Sequence, residues 1–258
     1  MVFANFFLKS SLVVHLVFVQ THETFERWKH SFRSIVGDVS SADNGSVIDI
    51  LLYGYVDSRF LEHVNAELEN YRAFSNLSVC LTEQNRGKSW IINNVVSANP
   101  TRETFVFIDS DIVIVNAGTI QTLIELHAVI GCDILVPNQI GDCRHWIDPN
   151  YADQRSVELD SRAFIYRTKS SSVQLIDQYA GGMFVTSKNT LLEFPFADVG
   201  VYGPDDVLFF KKLLEKSKTI SMIENLHVLH PFESDETYVQ FKKELFRKKF
   251  AKTISEIL

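Results

Sequence analysis

Phe105-Val106-Phe107-Ile108-Asp109-Ser110-Asp111-Ile112-Val113 is the stretch on which this sequence turns. An apolar run, Thr104–Ile108, ends in two carboxylates one residue apart. Side chains at i and i+2 leave a strand on the same side. Two carboxylates aimed at one spot repel each other unless a cation lies between them. A hard divalent ion, Mg²⁺ or Mn²⁺, suits such a pair, above all one already holding phosphate oxygens. The bare triplet is weak, because 16 Asp residues in 258 give about one Asp-x-Asp by chance. Its place at the end of the most apolar strand-like run lifts it above chance. The plain alternative is a pair of solvated loop or cap aspartates.

Working outward, short apolar runs alternate with amphipathic stretches. Leu12–Val19 reads as a strand. Phe25, Trp28, Phe32 and Ile35 follow at helical spacing, with Thr21 as cap and Gly37 as stop. Val47–Tyr55 is a second strand, and Phe60, Val64 and Leu68 mark a helix starting near Asp57 or Ser58. Leu77–Leu81 is a strand, Ser89–Val96 a helix, Ile120–Ile130 a helix and Ile134–Pro137 a strand. This rhythm predicts an α/β fold with a mainly parallel central sheet and helices on both faces. Ligands then sit at the carboxyl ends of the strands. From Gln139 to Tyr179 the rhythm fails, and a long irregular stretch of this kind is usually functional. A strand from Gly181, a helix over Pro204–Leu214 and a strand over Thr219–Ile223 complete the pattern.

Composition narrows the function. There are 32 acidic and 25 basic side chains, a net charge of −7, so a broad electrostatic clamp on nucleic acid is excluded. Cys80, Cys132 and Cys143 have no metal spacing and read as reduced thiols, with a Cys132–Cys143 disulfide as the alternative for a luminal chain. No apolar run approaches the roughly 20 residues that span a bilayer. Leu12–Val19 reads as a buried strand rather than a signal segment. The expected location is cytoplasmic, with peripheral attachment to the cytosolic face of a membrane as an option.

Three further groups carry chemistry. In Tyr202-Gly203-Pro204-Asp205-Asp206 a turn sets two carboxylates on the first turn of an apolar helix. That is an ordinary cap position, or the place of a general base beside a bound sugar. His230 directly follows an apolar run and is a candidate metal ligand, with His227 as the competing choice. Gly181 and Gly182 open an apolar run, which marks either a bulge or close approach of backbone to a ligand.

In this order and at these separations the motifs resemble a GT-A glycosyltransferase, and most of all the inverting family 2 type that uses nucleotide-diphosphate sugars. The resemblance covers about Ser11 to Ser234. It implies a Rossmann-like α/β/α sandwich in one catalytic domain over 1–258. Residues 1–115 would be the nucleotide-binding half, 116–234 the acceptor and catalytic half, and 235–258 a basic amphipathic helix. By the same resemblance, Asp109 would contact the nucleotide side and the metal, Asp111 would bind Mn²⁺ or Mg²⁺, and His230 would complete the metal shell. Gly181 and Gly182 would line the donor sugar. Asp206 would be the general base, with Asp205 where the family usually has Glu. Asp57 would read the base. Asn85-Arg86-Gly87 followed by Asn93 resembles the helix start beside the nucleotide. Ile92 stands where the family often has Arg or Lys, and Lys88 or Arg86 would supply that charge.

The implied reaction moves a sugar from a nucleotide-diphosphate donor, with UDP as the default, to a glycan or lipid-linked acceptor. Two other classes compete. A HAD-type phosphohydrolase also places Asp-x-Asp after an apolar strand, but on the first strand, whereas three strands precede this one. A non-catalytic nucleotide-sugar-binding domain of the same fold is the second. In the final stretch, Tyr238, Phe241, Leu245, Phe250, Ile254 and Ile257 form a helical stripe among Lys242, Lys243, Arg247, Lys248, Lys249 and Lys252. Such a helix packs on its own domain or docks on an anionic membrane.

Overall fold

The computed structural model describes residues 10–41, 48–140, 165–167, 172–175, 182–201 and 205–230. In chain order the elements are β1 (Ser11–Val19), α1 (His22–Ser41), β2 (Asp49–Val56), a 3₁₀ turn (Ser58–Phe60), α2 (Leu61–Glu69), β3 (Leu77–Thr82), α3 (Lys88–Ala98), β4 (Thr104–Ile108) and β5 (Val113–Ile114). They continue as α4 (Thr119–Ile130), β6 (Ile134–Ile140), β7 (Ile165–Arg167), β8 (Ser172–Leu175), β9 (Met183–Ser187), α5 (Lys188–Glu193), α6 (Asp205–Glu215) and β10 (Ile220–Leu229).

The ten strands among the described residues join one sheet in the order β3-β2-β1-β4-β9-β6-β10-β8-β7, with β5 paired to β10. The chain alternation explains its two faces. Val13, Val17, Val106 and Ile108 point to one side, under α1, α2 and α4. Leu12, Val14, Leu16, Phe105 and Phe107 point to the other, under α3, α5 and α6. Both faces are therefore apolar, as a sheet sandwiched between helices demands. Each fully buried large side chain, such as Trp28, Phe107 or Phe184, contributes roughly 1.5–3 kcal/mol.

The parallel character is confined to β3-β2-β1-β4 and to β6 beside β10. β9 runs antiparallel to both β4 and β6. The two halves read from the sequence thus share one sheet. Thr21 caps α1 as expected, with the Thr24 amide donating to Thr21 Oγ1 at 3.2 Å and the Thr21 amide to Thr24 Oγ1 at 2.8 Å. Gly37 is not a stop. The helix runs on to Ser41 because Val39 still packs in the core and buried Asp38 accepts the Thr119 and Ile120 amides, each at 3.0 Å, capping α4. The stretch that reads as irregular holds two short strands, β7 and β8, paired with each other, and β8 extends the sheet beyond β10.

No described helix is long and apolar enough to cross a membrane. Cys80 is exposed and Cys132 buried, both as free thiols. Gly181, Cys143 and the stretch from Tyr238 to Leu258 lie outside the described residues.

Candidate active site

The candidate residues gather at the carboxyl edge of the sheet. Asp109 follows β4 and is held by its neighbour strand. Its amide donates to the Gly182 carbonyl at 2.7 Å, and the Gly182 amide donates back to Asp109 Oδ2 at 3.1 Å. This continues the β4–β9 ladder one step past the strand ends. Gly182 has φ +101, and a Cβ there would stand 2.6 Å from the Gln139 amide oxygen. The backbone conformation therefore demands glycine, whereas the overlap is with the movable end of the Gln139 side chain.

β5 brings Asp111 to His230. Val113 pairs with Leu229 and Ile114 with Val228, so the residues flanking this short ladder meet. His230 Nε2 lies 3.3 Å from Asp111 Oδ1. His227 instead pairs with Asn138, where β10 bulges past β6. Between the two histidines, the structure brings His230 to the carboxylate. Two adjacent ligands on an octahedral Mg²⁺, each about 2.0–2.1 Å from the ion, stand about 3 Å apart. A carboxylate oxygen and an imidazole nitrogen at 3.3 Å therefore suit one shared divalent ion. Among the described residues no third His, Cys, Asp or Glu completes a ready-made cluster with them. Asp109, the other expected ligand, is turned toward Lys88.

Lys88 opens α3. Its Nζ is 2.7 Å from Asp109 Oδ1 and 3.0 Å from Asp206 Oδ1, on the first turn of α6. Next to it, Ser89 Oγ donates to Asp205 Oδ2 at 3.1 Å. Two local features set α3 against the segment leading to α6. Gly87 has φ +80 and approaches Gly200 so closely that a Cβ would fall 2.2 Å from the Gly200 carbonyl oxygen. Asn93 exchanges two hydrogen bonds with the Phe196 backbone, at 2.9 and 3.1 Å. Asn93, expected beside the nucleotide, thus serves as a brace. Asn85 Oδ1 accepts the Gly87 amide at 3.1 Å and shapes the turn.

Burial pushes the Asp206 carboxyl up to about 7. Asp205 and Asp109 push the same way, and Lys88 opposes them. Asp205 is also raised, chiefly by burial. For Lys88, burial pulls downward, but Asp109, Asp206 and Asp205 overcome it and its ammonium is held well above the ordinary lysine range. The site thus holds a carboxylate poised near neutrality, which is what a general base needs.

Asp57 stands at the end of β2, apart from this cluster. It accepts from the Arg59 amide at 3.0 Å, from Arg59 Nε at 2.9 Å and from Arg59 Nη2 at 3.0 Å. Those hydrogen bonds hold its carboxyl down to about 2. Lys212, on α6, reaches the Phe194 ring at 5.9 Å. Sequence reasoning missed three residues of the site floor. Ser89 holds Asp205, Gln139 packs against Gly182, and His15 lies fully buried in β1 with Nε2 3.0 Å from Ser31 Oγ. Burial pushes His15 down to about 3, against a pull from Asp111, so its imidazole is neutral. Only His15 left a sequence signal, as the polar interruption of an apolar run.

No family model matches the chain, and no curated protein matches it. Solved structures do. GalNAc-T7, crystallised with UDP, GalNAc and Mn²⁺, is similar at TM-score 0.62 and 13% identity, over 87% of this chain and 44% of its own. S. aureus TarS 1-349 gives TM-score 0.58 and 16% identity, over 86% of this chain and 60% of its own. The same protein in complex with UDP gives 0.60 and 15%, over 88% and 62%. The chain spans 44% to 62% of the length of these solved chains. At such identities the likeness establishes the fold, and that fold is the GT-A α/β/α sandwich.

Proposed function

We propose that this chain is a glycosyltransferase that moves a sugar from a nucleotide-diphosphate donor to a hydroxyl of a glycan or lipid-linked acceptor, with inversion at the anomeric carbon. UDP is the proposed nucleotide; the fold neighbours crystallised with UDP support it. The observation that carries the reading is the meeting of Lys88, Asp109 and Asp206 around one ammonium at the carboxyl edge of the sheet. It sets a near-neutral base directly beside the strand end expected to hold the donor.

In this reading Asp57 hydrogen-bonds the nucleobase, Asp109 anchors the nucleotide side, and Gly182 fixes Asp109 through its backbone. Gly181 would line the donor sugar next to it. Asp206 takes the proton of the acceptor hydroxyl as that oxygen attacks the anomeric carbon opposite the leaving diphosphate. Asp205, tied to Ser89, sets the first turn of α6 that carries Asp206. Asp111 and His230 would hold Mn²⁺ or Mg²⁺, with Asp109, here paired with Lys88, as the further ligand the resemblance implies; the ion would supply Lewis-acid stabilisation of the leaving diphosphate. A chain of net charge −7 needs such a cation to keep a diphosphate in its cleft. The apolar stripe of 235–258, flanked by lysines and Arg247, fits peripheral contact with an anionic membrane surface on the cytosolic side, where a lipid-linked acceptor would be reached.

A thermal-shift and transfer panel of nucleotides and nucleotide sugars, with and without Mn²⁺, tests the reading. UDP compounds with Mn²⁺ are expected to raise Tm, and excess EDTA to abolish transfer. Transfer that survives EDTA would remove the metal role. Hydrolysis of para-nitrophenyl phosphate without sugar transfer would favour the phosphohydrolase class.

A further inference from the structure

Lys88 and Ser89 are consecutive on the first turn of α3, and they grip Asp206 and Asp205, consecutive on the first turn of α6. The grip is a two-rung clamp between helix starts far apart in sequence. Its backing is the Gly87–Gly200 approach and the Asn93–Phe196 brace. Asp205 Oδ1 accepts the Asp206 amide at 3.1 Å, which serves the helix start. Asp206 itself faces Lys88.

The Lys88 ammonium has three N–H donors. Around it stand Asp109 Oδ1 at 2.7 Å, Asp109 Oδ2 at 2.9 Å, Asp206 Oδ1 at 3.0 Å and Asp206 Oδ2 at 3.1 Å. Two of these contacts are hydrogen bonds, to Asp109 Oδ2 and Asp206 Oδ2, so one ammonium ties the two carboxylates together, while the nearby Asp206 Oδ1 accepts no hydrogen bond. The lysine side chain is 12% exposed, so water competes little for its protons.

We propose that Lys88 is a positioning residue for the base: it fixes the Asp206 carboxylate against Asp109 and acts through Asp206 rather than by gripping the donor diphosphate. The inference rests on the glycosyltransferase reading and deepens it. The charged groups facing Asp206 are Lys88 from α3, Asp109 from the end of β4 and Asp205 from α6. Lys88 is the only cation among these three neighbours.

The test uses the full chain with Lys88→Met and Lys88→Arg, each checked for wild-type melting. Lys88→Met should lower kcat by at least about 100-fold while UDP affinity, measured by calorimetry with Mn²⁺, stays within about threefold of wild type. Lys88→Arg should restore part of kcat. The acid limb of the kcat profile should move to higher pH in Lys88→Met and not in Lys88→Arg. A loss of UDP affinity matching the loss in kcat would make Lys88 a phosphate ligand and overturn the proposal, as would unchanged kcat. Carbon-13 titration of the Asp206 carboxyl in the ligand-free protein supplies a readout that needs no turnover. An upward move in Lys88→Met supports the link and an unmoved signal breaks it. A wild-type chain that neither binds UDP nor transfers sugar would sink the glycosyltransferase reading separately, whatever that titration shows.

Discussion

Asp57 and Asp206 each stand at the carboxyl edge of the sheet, each with one basic partner, and their side chains are similarly exposed at 22% and 20%. Their acidities nevertheless part company. Asp57 is held down to about 2 and Asp206 is pushed up to about 7. The difference lies in the surroundings. Arg59 is 72% exposed and serves one carboxylate, Asp57, with Nη2 also donating to the Gln20 carbonyl at 3.3 Å. Lys88 is 12% exposed and is shared between two carboxylates, with a third nearby. Burial raises Asp206 most, Asp205 and Asp109 add to it, and the shared Lys88 ammonium offsets only part of the rise. The rim aspartate is therefore a fixed anion suited to recognition, and the floor aspartate a titratable one suited to proton transfer.

The sharpest way to break this contrast is Asp206→Asn. Transfer should fall by about 10²–10⁴-fold, while UDP binding survives. In the wild type, Asp206 must be ionised to act, so kcat should rise as pH climbs through about 7. A profile already flat from pH 5 upward would show that Asp206 is only a helix-start residue.

Gly182→Ala comes next. The φ of +101 should cost about 1–3 kcal/mol of stability. The shifted backbone should also loosen Asp109, weakening UDP binding. A variant with wild-type Tm and UDP affinity would detach Gly182 from the site.

The smallest effect belongs to the rim. Asp57→Asn should weaken UDP affinity by about 10-fold with kcat nearly unchanged. If kcat fell instead, Asp57 would share in the chemistry and the contrast with Asp206 would fail.

Much of the scaffold was legible because period and apolarity reflect burial directly. β4 is bounded where the sequence places it, and β1, with apolar side chains on both faces, differs by one residue. Direction was not legible. β9 is as apolar as a parallel strand, and nothing in Met183–Ser187 encodes that it runs against β4. Gly37 misled because a glycine in a helix is tolerated when the residues beyond it still find partners, as Asp38 and Val39 do. Within the site, Asp109, Asp111 and Asp206 stood out by residue type and position, whereas His230 was separated from His227 only by the family resemblance. The Lys88–Asp206 and Ser89–Asp205 pairs did not stand out, because contacts between residues so far apart leave no local pattern.

The β5–β10 ladder carries one more implication. Asp111 is synthesised long before His230, and only the docking of the last described strand brings them face to face. A nascent chain on the ribosome can already pair β1 with β2 and β4, yet it lacks half of the proposed cation pocket. Catalytic competence would thus arrive last in biogenesis, after the framework that supports it.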